Sequence, residues 1–149
     1  MMKSLSILLL VIVFQMPLAI AEQQYIQWRL DQFSITKPLG GLKGDAERGS
    51  KIVLDSNSGN CLACHKIPNS NEPFQGNIGP PLHGIGSRLK EGELRLRVIN
   101  ERLVNPDTIM PAFYLDPKEV YRLSEDYWGE TILTAQQVED VVAYLVTLK

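Results

Sequence analysis

Apolar positions follow several distinct patterns along the chain, and each predicts a different element. Residues 5–14 form an apolar run preceded by a single basic residue, Lys3, and followed by Ala19-Ile20-Ala21. The run is short for a bilayer span, which needs about 20 residues. The small-x-small triplet is a cleavage signal, so residues 1–21 read as an export leader cut before Glu22 rather than as an anchor. Residues 22–43 mix Tyr25, Ile26, Trp28, Leu30, Phe33 and Ile35 with Gln27, Arg29 and Gln32 at no helical period. Pro38, Gly40 and Gly41 then break the chain. This reads as an N-terminal arm that either covers part of the core or docks a partner through its aromatics.

Helical spacing begins at Asp45, a good N-cap, and runs through Ala46, Gly49, Ser50, Ile52 and Val53 to a stop at Asn57-Ser58-Gly59. A glycine inside a helix costs about 1 kcal/mol against alanine, so Gly49 predicts close approach of a second helix. Another helix is expected from about Glu91 to Val104, with Leu94, Val98, Ile99 and Leu103 inward and Asn105-Pro106 as its end. The strongest pattern is the last. Thr134 with Gln137 three residues on forms a capping box, and Val138, Val141, Val142, Leu145 and Leu148 make an apolar stripe. Tyr144 on this helix is placed to lie over Gly49. From residue 66 to 90, Pro68, Pro73, Gly76, Gly79, Pro80, Pro81, Gly84 and Gly86 leave no room for a long helix. Residues 115–131 form an insert in which Asp116-Pro117-Lys118-Glu119 can start a short helix. Its Tyr121, Tyr127 and Trp128 serve either the core or a partner surface.

Composition narrows the function. The 149 residues carry 15 Lys and Arg against 17 Asp and Glu, with no basic stripe, which argues against nucleic acid as a partner. There are two cysteines, two histidines and four methionines. Loss of the leader removes Met1, Met2 and Met16 and leaves Met110 as the one methionine.

The chemistry concentrates in Cys61-Leu62-Ala63-Cys64-His65. Two thiols three positions apart, followed at once by an imidazole, suit a c-type haem. Each cysteine forms a thioether with the porphyrin, and the histidine becomes the fifth iron ligand. A structural zinc site needs four ligands, and the rest of the chain offers only His83. A thioredoxin-like dithiol belongs near a βαβ pattern, which is absent from the sequence pattern. A ligand imidazole needs its other nitrogen held, and the Pro80 carbonyl is the candidate acceptor. Met110, braced by Pro106 and Pro111, is the candidate sixth ligand, since a thioether suits haem iron and raises its potential relative to two nitrogen ligands. His83 is the rival. With both axial positions filled, the iron would move electrons rather than bind substrate. A diffusible electron shuttle and a ligand-sensing haem protein remain alternatives.

The succession Cys61–His65, Gly79-Pro80-Pro81-Leu82-His83-Gly84, Met110-Pro111 and Asp140-Val141-Val142-Ala143-Tyr144-Leu145 resembles the class I cytochromes c over residues 45–149. The resemblance implies an all-α fold of three to five helices around one covalent haem c, with first and last helices crossing. Residues 44–149 would be the cytochrome c domain. It also implies that Pro80 accepts the His65 hydrogen bond and that Arg88 approaches a haem propionate. Longer stretches are similar to the SoxX family: Cys61–Lys66, Gly76–Leu82, Pro106–Tyr114 and Leu133–Leu145. SoxX proteins are the monohaem subunits of the SoxAX complex of thiosulfate oxidation. That resemblance implies a periplasmic electron-transfer subunit with no catalytic residue of its own, bound to a SoxA-type cytochrome as a heterodimer. The SoxA haem would carry the L-cysteine S-thiosulfotransferase reaction on the carrier protein SoxYZ. A small cytochrome would take the electrons onward. It implies no stable membrane insertion after cleavage of the leader.

Overall fold

The computed structural model describes residues 25–120 and 129–149. The leader expected at 1–21 lies outside the described residues, as do Tyr121, Tyr127 and Trp128 of the insert. Four α-helices appear among the described residues: α1 (Ala46–Leu54), α2 (Ile85–Arg88), α3 (Glu91–Asn100) and α4 (Ala135–Thr147). Single 3-10 turns occupy Leu39–Gly41, Cys61–Ala63, Glu101–Leu103 and Pro117–Glu119. Among the described residues there is no strand, only one isolated bridge between Asp31 and Ser34. The fold is all-α.

The helix starts follow from local chemistry. The Asp45 carboxylate accepts the Arg48 backbone N–H at 2.9 Å, satisfying one of the free donors of the first turn of α1. At α4 the capping box is closed: Gln137 N donates to Thr134 Oγ1 at 3.0 Å and Thr134 N donates to Gln137 Oε1 at 2.8 Å. The apolar stripe of α4 is buried throughout, from Val138 to Leu148.

α1 crosses α4 at a point with no room for side chains. A Cβ on Gly49 would collide with the Asp140 carbonyl and lie 2.9 Å from Tyr144 Cβ. The expected close approach of a second helix at Gly49, with Tyr144 above it, is therefore what the structure has. Asp140 completes the joint. Its carboxylate, 2% exposed, accepts from Asp45 N at 2.8 Å and from Arg48 Nε and Nη2 at 2.7 and 2.8 Å.

Two expectations need correction. α3 stops at Asn100 instead of continuing to Val104, and Leu103 is 41% exposed rather than inward. Asn100 leaves helical geometry (φ −160°, ψ 94°) and its side-chain oxygen accepts Arg102 N–H, so a 3-10 turn replaces the last helical turn. The region before residue 90, read as loop, contains the one-turn helix α2. Arg95 is wholly buried in the middle of α3. It forms a two-pronged ion pair with Glu139 of α4, at 2.9 Å from Nε to Oε1 and 2.9 Å from Nη2 to Oε2.

The arm packs on this frame without regular structure of its own. Ile35 and Leu39 are buried, whereas Leu30 and Phe33 are exposed. Its backbone is held by side chains of the core: Arg95 Nη1 donates to Ile35 O at 2.8 Å, and Leu39 N donates to Glu139 Oε1 at 2.9 Å.

Candidate haem site

The motif Cys61–His65 sits on a 3-10 turn just beyond α1. Asn60 adopts the left-handed conformation (φ 48°) to make the turn, and His65 N donates to Cys61 O at 2.9 Å. This turn carries the two thiols and the imidazole on one short piece of backbone. Neither cysteine is in a disulfide. Burial pushes the Cys61 thiol up to about 11, so it is protonated near neutral pH. A redox or nucleophilic cysteine needs the opposite, a lowered value in an electropositive setting. Among the described residues no group of three His, Cys, Asp or Glu side chains is arranged to hold a metal ion, so the half-zinc reading gains no partners.

The following loop is laced back onto the motif. Gly76 N donates to Leu62 O at 2.7 Å, Gly79 N to Cys64 O at 2.8 Å and Leu82 N to Lys66 O at 2.9 Å. A Cβ on Gly76 would fall 2.5 Å from Ala63 C. Glycine is what lets the two backbones lie so close. At Gly79 the neighbour is the imidazole itself. An added Cβ would lie 2.6 Å from His65 Nδ1 and 2.8 Å from Nε2. The Gly79 backbone therefore forms a wall against the face of the ring.

His65 Nδ1 stands 2.7 Å from Pro80 O. A carbonyl can only accept, so the proton of this hydrogen bond is on Nδ1. Nε2 is then the lone-pair nitrogen available to a metal, with the ring angle set by Pro80 and Gly79. Gly79 was not singled out as a site residue from the sequence, where it read only as a loop former. The signal was its position one residue before the proline whose carbonyl was expected to hold the imidazole.

Met110 is half-buried, packs against the core and donates its N–H to Thr108 Oγ1 at 3.1 Å. The chain beyond it is tied to the end of α3: Phe113 N donates to Val98 O and Tyr114 N to Ile99 O, both at 3.3 Å. These carbonyls belong to the last turn of the helix, which lacks partners of its own. Arg88, at the end of α2, folds over the 81–83 loop, donating from Nη1 to His83 O at 2.6 Å. His83 itself is exposed. The donor set fits a covalent haem: two thiols, one imidazole with its second nitrogen held, and one thioether on a separate loop.

Among the described residues no helix is long and apolar enough to cross a membrane. The cytochrome c family profile matches residues 46–149. Among solved structures, a chain of the crystal structure of SoxXA from P. pantotrophus is similar to this one. The two are 38% identical, the match covers 82% of this chain and 94% of that chain, and the TM-score is 0.74. No curated protein sequence matches the chain.

Proposed function

The chain is a SoxX-type member of the cytochrome c family, an electron-transfer protein, and from that premise we propose that it is the haem-bearing electron-transfer subunit of a SoxAX-like thiosulfate-oxidising complex. Cys61 and Cys64 would hold one haem c through thioethers, and His65 and Met110 would supply its iron ligands. Bound there, the haem supplies one-electron chemistry through its iron.

The protein's own residues set how that chemistry runs. His65 donates an Nδ1–H hydrogen bond to Pro80 O, which fixes the ring and strengthens Nε2 as a ligand. Gly79 keeps the ring from rotating by lying flat against it. Met110, on a loop tied to α3, would be the second protein ligand, which would leave no open site for substrate at this centre. Arg88 uses part of its guanidinium on His83 O and keeps further N–H donors for a propionate. A centre closed on both sides passes electrons without binding the sulfur substrate. The oxidative joining of thiosulfate to a SoxYZ cysteine then belongs to a SoxA-type partner, and a small cytochrome receives the electrons.

The single observation that carries this reading is the 38% identity to a SoxXA chain over most of both chains. The same reading assigns residues 1–21 as a cleaved leader and places the mature protein in the periplasm.

Affinity purification of the haem-loaded protein from its native periplasm, with mass spectrometry of what stays bound, tests the proposal. The expected result is a stoichiometric second cytochrome with its own haem-binding cysteines. A lone monomer recovered while that partner is expressed would refute the complex and leave a diffusible electron carrier.

A further inference from the structure

Residues 25–39 have almost no regular structure, yet both ends of the segment are fixed. At one end Ile35 N donates to Gly92 O at 3.0 Å, and Ile35 O and Leu39 N are gripped by the buried pair Arg95 and Glu139. At the other end the ring of Tyr25 stacks on Tyr114, with centroids 4.9 Å apart and planes inclined by 22°. The Tyr114 hydroxyl accepts the Ile26 backbone N–H at 2.7 Å.

Tyr114 lies in no helix. It stands four positions after Met110 and is 1% exposed. The backbone ties of this segment to α3 are both 3.3 Å, beyond the usual range of a strong N–H···O bond. Before Met110 the nearest tie is local, from Met110 N to Thr108. Two short contacts hold the segment to distant parts of the chain: Leu133 N donates to Phe113 O at 2.9 Å, and the arm donates to the Tyr114 hydroxyl, the one of the two that runs through a side chain. Simple coverage of a core aromatic needs only an apolar neighbour. A backbone N–H aimed at the hydroxyl adds direction, because it fixes where along the arm Tyr114 must sit.

We propose that residues 25–39 act as a strap on the Met110 loop, with Tyr114 as the positioning residue through which it acts. This rests on the reading of Met110 as an axial ligand. The strap is anchored on α3 and α4, grips Tyr114, and keeps the loop from swinging outward. It thereby sets how readily an outside ligand displaces the Met110 thioether. The arm is a part of the iron's coordination control, not only a cover on the core.

The test is imidazole titration of the oxidised, haem-loaded full-length protein, followed through the long-wavelength absorption band of methionine-ligated haem. Tyr114→Phe removes the acceptor for Ile26 and keeps the ring. Tyr25→Ser removes the stack from a position already partly exposed and leaves the Ile26–Tyr114 hydrogen bond in place. Both should keep covalent haem and the methionine band. Both should bind imidazole about fivefold more tightly, since a larger fraction of loops open raises apparent affinity in proportion, and one part-buried hydrogen bond or one aromatic stack is worth roughly that factor. Leu145→Ala, a buried truncation in α4 six positions beyond Glu139, should lower the denaturation midpoint without changing imidazole affinity. Wild-type protein with the methionine band, whose Tyr variants bind imidazole no better than wild type or than Leu145→Ala, would overturn the strap alone. Wild-type protein without that band would overturn the Met110 reading and the strap with it.

Discussion

Replacing Gly79 with alanine puts a methyl group against the face of the His65 imidazole. The added Cβ would stand 2.4 Å from Cε1, and ordinary van der Waals contact begins at 3.4 Å, so the ring must retreat by about 1.0 Å along its normal. The Nδ1–Pro80 hydrogen bond is 2.7 Å long and lies in the ring plane. A retreat of that size lengthens it only to about 2.9 Å but tilts it by about 20°, which weakens it in part. Three contributions decide the stability change. Overpacking costs about 1–3 kcal/mol. The weakened hydrogen bond costs about 0.5 kcal/mol. Alanine restricts the unfolded chain and returns about 0.4–1 kcal/mol, because Gly79 has no positive φ that would exclude it. The net expectation is a loss of about 2 kcal/mol.

The redox consequence has a definite sign. The hydrogen bond to Pro80 makes His65 a more basic ligand, and a more basic ligand favours the oxidised iron. Only the part of that loss that differs between the oxidised and reduced forms moves the potential, so weakening the bond by about 0.5 kcal/mol raises it by at most about 20 mV for a one-electron couple. Denaturant titration and redox potentiometry of the haem-loaded variant read the two numbers. A potential that is unchanged or falls, with a denaturation midpoint like that of wild type, would refute the argument that Gly79 and Pro80 together hold the imidazole.

Met110→Ala should retain haem through denaturation but lower the reduction potential and admit carbon monoxide to the reduced protein; potentiometry and gas titration check it, and an unchanged potential would remove Met110 from the coordination sphere. Gly49→Ala gains helix propensity of about 1 kcal/mol but drives a methyl group into the Asp140 carbonyl, so a net loss of about 1–3 kcal/mol in denaturant titration is expected. Arg95→Met leaves Glu139 charged and buried and frees Ile35 O, so a loss of about 3–5 kcal/mol is expected, far more than an exposed ion pair contributes. Asp140 sets an acid limit. Burial raises its pKa, but hydrogen bonds from Arg48, Asp45 N–H and Gln136 outweigh burial and hold it below the ordinary carboxylate range. Its contribution is therefore complete above about pH 4 and is lost as pH falls through the lowered value. A pH series of denaturation midpoints should show a steep acid limb that Asp140→Asn flattens.

What could be read from the sequence were features that are local or rare. The α4 capping box and stripe are local, and they specify the helix wherever it packs. The close approach at Gly49 was legible because glycine in a good helix has a cost that something must offset. The chemistry-bearing residues stood out by scarcity: two cysteines, two histidines and one methionine after residue 21. What stayed hidden depends on partners far along the chain. Arg95 and Glu139 drew no reading from the sequence, because a charge on a helix does not announce its partner, and only their pairing across 44 positions makes them core residues. Asn100 looked like a helix interior position because competition from its own side chain leaves no periodic trace. Leu103 turned outward for the same reason, one helical turn lost. The arm showed no period because its order comes from Arg95, Glu139 and Tyr114, not from its own backbone ladder.

These distant ties bear on electron transfer itself. A centre that changes charge without changing ligands works best when its ligands hardly move, because each displacement adds to the barrier of the step. On the His65 side that rigidity comes from three backbone hydrogen bonds between the motif and residues 76–82, with glycine where the two strands of chain meet most closely. On the Met110 side the ties come only after the methionine: two long ones to α3, and one of 2.9 Å from Leu133 N to Phe113 O. The asymmetry makes the methionine side the softer one. Any control of ligand exchange or potential by the rest of the molecule should act there, where the arm, α3 and the chain beyond Met110 converge on Tyr114.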